Sequence, residues 1–132
     1  MFGIFNTTTI PALEQTLSFS QKRHELLAGN LANLDTPGYR AKDLNVGDFQ
    51  NALAESIETH QKAIDSGQPL TRDEMRSGPR DAMEQVVFHD QSAVSLEQQV
   101  SEVAKNEHMH ALAITTMRSQ FALLRAAITE RA

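Results

Sequence analysis

Residues 96–130, LEQQVSEVAKNEHMHALAITTMRSQFALLRAAITE, contain neither glycine nor proline, and neither residue occurs anywhere after Pro79. Nothing in this stretch interrupts a helix. Ser95-Leu96-Glu97-Gln98 has the form of a capping box, with Ser95 at the N-cap and Gln98 at the third helical position. Glu97, Glu102 and Glu107 come early and Arg118, Arg125 and Arg131 late, the order that the helix dipole favours. The pattern predicts one helix over 96–130. Along it Leu96, Val100, Val103, Glu107, His110, Ile114, Met117, Phe121, Leu124 and Ile128 step alternately by four and three. That is an a/d seam with two polar interruptions.

The other end of the chain has the same rhythm. Leu13, Leu17, Ser20, His24, Leu27, Leu31 and Leu34 also step by four and three. Pro11 suits a first helical turn, where its missing N–H costs nothing. Pro37 disfavours helix at Thr36, so this helix is expected to end near Asn33 or Leu34. Gly29 is a mild defect inside it. Neither helix hides its stripe alone, and single helices of this length are marginal in water. The expected fold is therefore all-α dominated. The two terminal helices pack antiparallel in coiled-coil fashion, or onto neighbouring subunits. With the first helix left at Leu34 and the second joined at Leu96, Leu34 pairs with Leu96, Leu27 with Val103 and Leu13 with Met117. The same register sets His24 opposite Glu107 and Ser20 near His110, either as a polar layer or as groups facing solvent, a lumen or another subunit.

Between the helices the pattern changes. Residues 35–45 read as turn and extended chain. Asp48 to Lys62 reads as a third helix, with Phe49, Leu53, Ile57 and Ile64 roughly on one face. Residues 66–81, SGQPLTRDEMRSGPRD, carry two glycines and two prolines among many charges and read as a mobile loop. Val86-Val87-Phe88 reads as a short strand or an apolar anchor. The chain thus divides into a helix over 1–34, an irregular middle over 35–94 and a helix over 95–132.

Composition narrows the function. The chain has 132 residues, enough for one ordinary domain, and a net charge of −5. No basic cluster exceeds Lys22-Arg23, which argues against nucleic acid and anionic membrane surfaces. With no cysteine, disulfides and thiolate metal sites are excluded. No apolar run approaches the ~18 residues of a membrane span. The start, MFGIFNTTTI, lacks the basic and apolar regions of a Sec signal, so any export is expected to use another route. Phe2, Ile4 and Phe5 form an apolar cluster before Thr7-Thr8-Thr9, read either as a staple for the first helix or as a docking segment. His108 and His110 point to different helix faces, and His24, His60 and His89 are scattered, so no metal or cofactor is expected. No nucleophile elbow or phosphate-cradling glycine loop occurs, and no catalytic residue is assigned.

Thr36-Pro37-Gly38-Tyr39 is a type II turn by its chemistry, with proline presetting φ and glycine accepting the positive φ that follows. Its context is more specific. The run Ala28-Gly29-Asn30-Leu31-Ala32-Asn33-Leu34-Asp35-Thr36-Pro37-Gly38-Tyr39-Arg40 resembles the signature of the flagellar rod and hook protein family. That signature is a helix ending in A-x-N-[IL]-A-N, two variable residues, then T-P-G-Y and a basic residue. The short middle and the continuation Ala41-Lys42-Asp43 are similar to a proximal-rod member of the family.

The resemblance implies a structural subunit that transmits torque in a drive shaft. Its paired terminal helices would form the inner, D0 layer of a tube. Asn30, Ala32, Asn33, Thr36, Pro37, Gly38, Tyr39 and Arg40 would serve as assembly motif. Leu13, Leu17, Leu27, Leu31, Leu34, Leu96, Val100, Val103, Ile114, Met117, Phe121, Leu124 and Ile128 would be the packing seam. It further implies travel through the flagellar type III channel to a periplasmic rod. The implied neighbours are copies of itself, FliE, FlgC and export-gate proteins. The competing reading is a cytosolic helical adaptor or export chaperone, which has no need of this signature.

Overall fold

A computed structural model of the chain describes residues 9–68, 70–89 and 95–130; Phe2, Ile4 and Phe5 lie outside the described residues. In chain order the elements are α1 (Ile10–Ala32), β1 (Lys42–Leu44), α2 (Val46–Asp65), α3 (Arg72–Glu84), β2 (Val86–Phe88) and α4 (Leu96–Thr129). The two long helices α1 and α4 lie antiparallel: Asn30 meets Gln99 at one level and Ser20 meets His110 at another. The expected axial register is therefore the observed one, with Ser20 and His110 in contact. Helices α2 and α3 pack against each other and beside α1.

Local chemistry explains most boundaries. Ser95 caps α4 by accepting a hydrogen bond from the Gln98 amide at 3.2 Å. Asn45 does the same for α2 through the Asp48 amide. Helix α2 ends in a Schellman motif: Gln68 N–H bonds Ala63 O, Gly67 N–H bonds Ile64 O, and Gly67 takes the positive φ of 78° that the motif requires.

The stretch 66–81 is not the expected loop. From Arg72 it is the helix α3. A complete capping box starts it: the Thr71 hydroxyl accepts from the Glu74 amide, and the Glu74 carboxylate accepts from the Thr71 amide at 2.8 Å. Met75, Pro79, Ala82 and Met83 are its buried stripe, at helical spacing. Pro79 sits inside the helix, where it supplies no N–H for the carbonyl four residues earlier. That carbonyl, Met75 O, instead accepts a 2.6 Å bond from the Ser56 hydroxyl of α2. The neighbouring helix thus repairs the defect.

The apolar core lies where α1, β1, α2 and α3 converge. Phe19 and Phe49 stack with ring centroids 4.0 Å apart and planes 12° apart. Leu44, Ala82 and Met83 complete the buried cluster, and Met109 of α4 packs against it. Strands β1 and β2 form an antiparallel ribbon with Lys42 opposite Phe88 and Leu44 opposite Val86. Val86, Val87 and Phe88 are all exposed. They form a strand, one of the two forms the sequence left open.

Candidate assembly site

The motif that spans the last turn of α1 and the turn after it works as a clasp, and Asn30 is its centre. This side chain is only 2% exposed. Its Oδ1 accepts from the Lys42 amide at 2.9 Å and from the Tyr39 hydroxyl at 3.2 Å. Its Nδ2 donates to Lys42 O at 2.7 Å and to Gln99 Oε1 at 3.2 Å. All four bonds available to a carboxamide are made. One residue therefore ties the end of α1 to β1, to the turn and to the start of α4. Aspartate could not reproduce this, because an ionised carboxylate has no N–H to give.

Asn33 closes the helix end by donating to Gly29 O at 2.8 Å and accepting from the Thr36 hydroxyl at 3.2 Å. The Tyr39 amide bonds Thr36 O at 3.1 Å, and Gly38 carries φ +76°, which makes the turn type II. Ala32, Thr36, Pro37, Gly38 and Arg40 are exposed around the clasp. The Arg40 guanidinium and the Lys42 ammonium both lie over the Phe88 ring, 5.4 and 5.8 Å from its centroid.

A second anchor was not legible as such. Arg23, one of the two residues of the basic pair, is buried. Its guanidinium grips Asp43 with two 2.8 Å bonds and reaches Glu102 at 2.7 Å. The fork joins α1 to β1 and α4, a geometry that lysine cannot match. Burial pulls the Arg23 pKa down, but the bonds to Asp43 and Glu102 outweigh it and leave it above the ordinary value. Glu102 is held below the usual carboxylate range, first by its hydrogen bond to Lys105 and then by the one to Arg23.

The third layer joins Ser20 to α4. Asn106 donates to Ser20 O at 2.8 Å, and the Ser20 hydroxyl lies 2.8 Å from His110 Nδ1. His24 and Glu107 are exposed and line the same shallow groove.

Thus the contact between α1 and α4 is polar to a degree that the apolar seam did not suggest. On α4 the inward row is Gln99, Glu102, Asn106, Met109 and Ala113. Each lies one position before the corresponding seam residue, a rotation of about 100° about the helix axis. Of the expected seam, Leu27 is buried, and Leu13, Leu17, Val103, Ile114, Met117 and Leu124 are half-buried. Leu31, Leu34, Leu96, Val100, Phe121 and Ile128 are exposed, Ile128 to 70%. Leu112 and Leu123, outside that seam, are exposed to 60% and 63%. Given the contact of Ser20 with His110, the last turns of α4 run past the start of α1 at Ile10. Among the described residues no three His, Asp or Glu side chains are placed to hold a metal, and no helix is long and apolar enough to cross a membrane.

Comparison with known proteins gives this architecture its class. The chain is 24% identical over 124 residues to the flagellar basal body rod protein FlgB of Bacillus subtilis, covering 92% of this chain and 93% of that one. It is 39% identical over 51 residues to FlgB of Buchnera aphidicola, 39% of this chain and 36% of that protein. Such matches define a flagellar basal body rod protein. No family model matches the chain. FlgB of Aquifex aeolicus is 33% identical over 97 residues, 69% of this chain and 68% of that relative. The chain belongs to the FlgB family.

Proposed function

We propose that the chain is a structural subunit of the proximal part of the rod, that it transmits torque as one element of a drive shaft, and that it carries no catalysis. The observation that supports this reading most is the exposed apolar residues on the two flanks of α4. Leu112 and Leu123 stand in solvent on one flank and Phe121 and Ile128 on the opposite flank of a helix whose inward row is tied to α1 by polar bonds through Gln99, Glu102 and Asn106. Exposed apolar rows of this extent mark surfaces that other chains cover. The proposed covering chains are further copies of itself, FliE and FlgC, with export-gate proteins at the base. The proposed route is the flagellar type III channel, and the proposed destination is the periplasmic rod. In the assembled tube the paired terminal helices would form the inner layer, and the motif from Asn30 to Arg40 would hold the adjoining segment against its neighbours.

Fractionation tests this. A tagged chain is expected to co-purify with detergent-resistant basal bodies, and Leu123→Glu with Ile128→Glu is expected to abolish this while leaving the circular dichroism of the purified chain unchanged. Recovery of the unmodified chain only in the soluble fraction, as for an export chaperone, would overturn the reading.

A further inference from the structure

The ribbon of β1 and β2 has one closed edge and one open edge. The Asn30 carboxamide closes the first: its Oδ1 accepts from the Lys42 amide at 2.9 Å, and its Nδ2 donates to Lys42 O at 2.7 Å. It pairs with Lys42 as a further strand would. Those bonds fix the ladder. The backbone groups of Lys42 point away from β2, so Lys42 and its partner Phe88 form a non-hydrogen-bonded pair. The bond from the His89 amide to Ala41 O at 3.0 Å marks the alternate, bonded pair beside it. The N–H and C=O of Phe88 therefore point away from β1, and those of Val86, two residues back, do the same. Among the described residues no strand lies on that side.

The open edge is apolar. Val86, Val87 and Phe88 are 36%, 44% and 50% exposed. Neither charge nor proline interrupts them, although these are common means of blunting an edge. The charged residues of the ribbon, Lys42 and Asp43, lie on β1, and Asp43 is held by Arg23.

The edge also complements itself. When a second β2 is laid antiparallel against it with Val87 facing Val87, Val86 of each copy stands opposite Phe88 of the other. These are the residues whose N–H and C=O face outward, so each pairing exchanges both backbone bonds. A shift by one residue sets Val86 against Val87, whose groups turn towards β1, and the bonds are lost. In the matched register the β1 strands lie outermost, and no charge is buried at the seam.

We infer that β2 is the contact through which two copies of this chain form a symmetric dimer, in the register centred on Val87. The contact is isologous, so it closes at two copies and does not propagate into a tube. It is a state of the free subunit, separate from the contacts proposed for the rod, and does not rest on that reading.

The chain has no native cysteine, so single cysteines test the register. Val87→Cys sets two thiols across the dyad with Cα atoms about 4.5 Å apart, within the span of a disulfide. Val86→Cys leaves its two thiols out of step, with Cα atoms about 8 Å apart, too far to bridge. Under mild oxidation of the full chain in dilute solution, Val87→Cys is expected to yield a linked dimer and Val86→Cys to stay monomeric. Equal linking of both, or none by Val87→Cys, would overturn the inference. Sedimentation gives a second readout. The mass of the unmodified chain is expected to double as concentration rises. Val87→Lys is expected to hold it at one copy, because like charges then face each other across the dyad. Mixing Val87→Lys with Val87→Asp is expected to restore the doubled mass. A chain monomeric at every concentration, a Val87→Lys variant that pairs like the parent, or a mixture that stays monomeric would each count against the dimer.

Discussion

Two contacts of α1 obey different rules. Towards α2 and α3 it presents Phe19 to Phe49 in an apolar cluster that excludes water. Towards α4 it presents Ser20, Arg23 and Asn30, each hydrogen-bonded to a named partner. Apolar burial is strong but non-directional, so it supplies cohesion without choosing among neighbouring registers. Buried polar bonds contribute less net energy, yet a slipped register would leave them unmade and costly. The difference teaches that cohesion and alignment are supplied by separate faces of one helix.

The largest expected effect breaks the apolar side. Phe49→Ala removes a ring that is 1% exposed and leaves Phe19 facing a void. Urea denaturation is expected to show a loss of about 3–5 kcal/mol. Hydrogen exchange should rise first in α2 and α3.

Arg23→Met attacks the polar side. It keeps apolar volume but strands Asp43 and Glu102 without their shared cation. Because both carboxylates keep some solvent contact and Glu102 retains Lys105, the expected loss is smaller, about 2 kcal/mol. Here exchange should rise first near Gln99 to Asn106, with α2 and α3 little changed. If both variants loosened the same helices, the division of labour would be wrong.

Acid sharpens the same point. Glu102 has a folded pKa below its ordinary value of 4.5. Its contribution is therefore fully present above that value and is lost as pH falls through the lower folded one. Arg23 stays charged throughout this range, so the loss follows the carboxylate. Exposed Glu58 and Glu74 are also held down, by Lys62 and by Thr71, so the comparison must be with Glu102→Gln. Stability of that variant is expected to fall less steeply than that of the parent chain as pH drops below 4.5. Equal slopes would remove Glu102 from the alignment set.

The smallest expected effect concerns a single bond. Ser56→Ala leaves Met75 O without its hydroxyl partner and is expected to cost about 1 kcal/mol by denaturant titration.

Much of this arrangement was legible in advance. Breaker-free spacing marked α1 and α4, and the positions of Leu34 and Leu96 set their antiparallel register, which brought Ser20 to His110. The turn chemistry of Thr36 to Tyr39 was likewise readable, because it is local. The inward face was not, since a heptad of apolar residues does not tell whether one's own chain or another covers it. In this chain polar Gln99 and Asn106 turn inward while Leu96 and Val100 stay outside. Helix α3 was missed because Gly78, Pro79 and the flanking charges outweighed a four-residue stripe that runs through the proline itself. Its Thr71-Arg72-Asp73-Glu74 box was the local signal that could have shown it. What no local rule supplies is the hydroxyl of Ser56, which is distant in sequence and becomes a partner only after folding.

That hydroxyl makes α3 a conditional helix. Most helices carry their own backbone pairing and can flicker into existence alone. This one holds an interruption whose remedy lies on α2, so its full helicity arises only in the docked pair. The two should therefore open and close together as one cooperative unit under native conditions. Unfolding of α2 would release α3 at once, and a chain being threaded through a narrow passage would shed both in a single step.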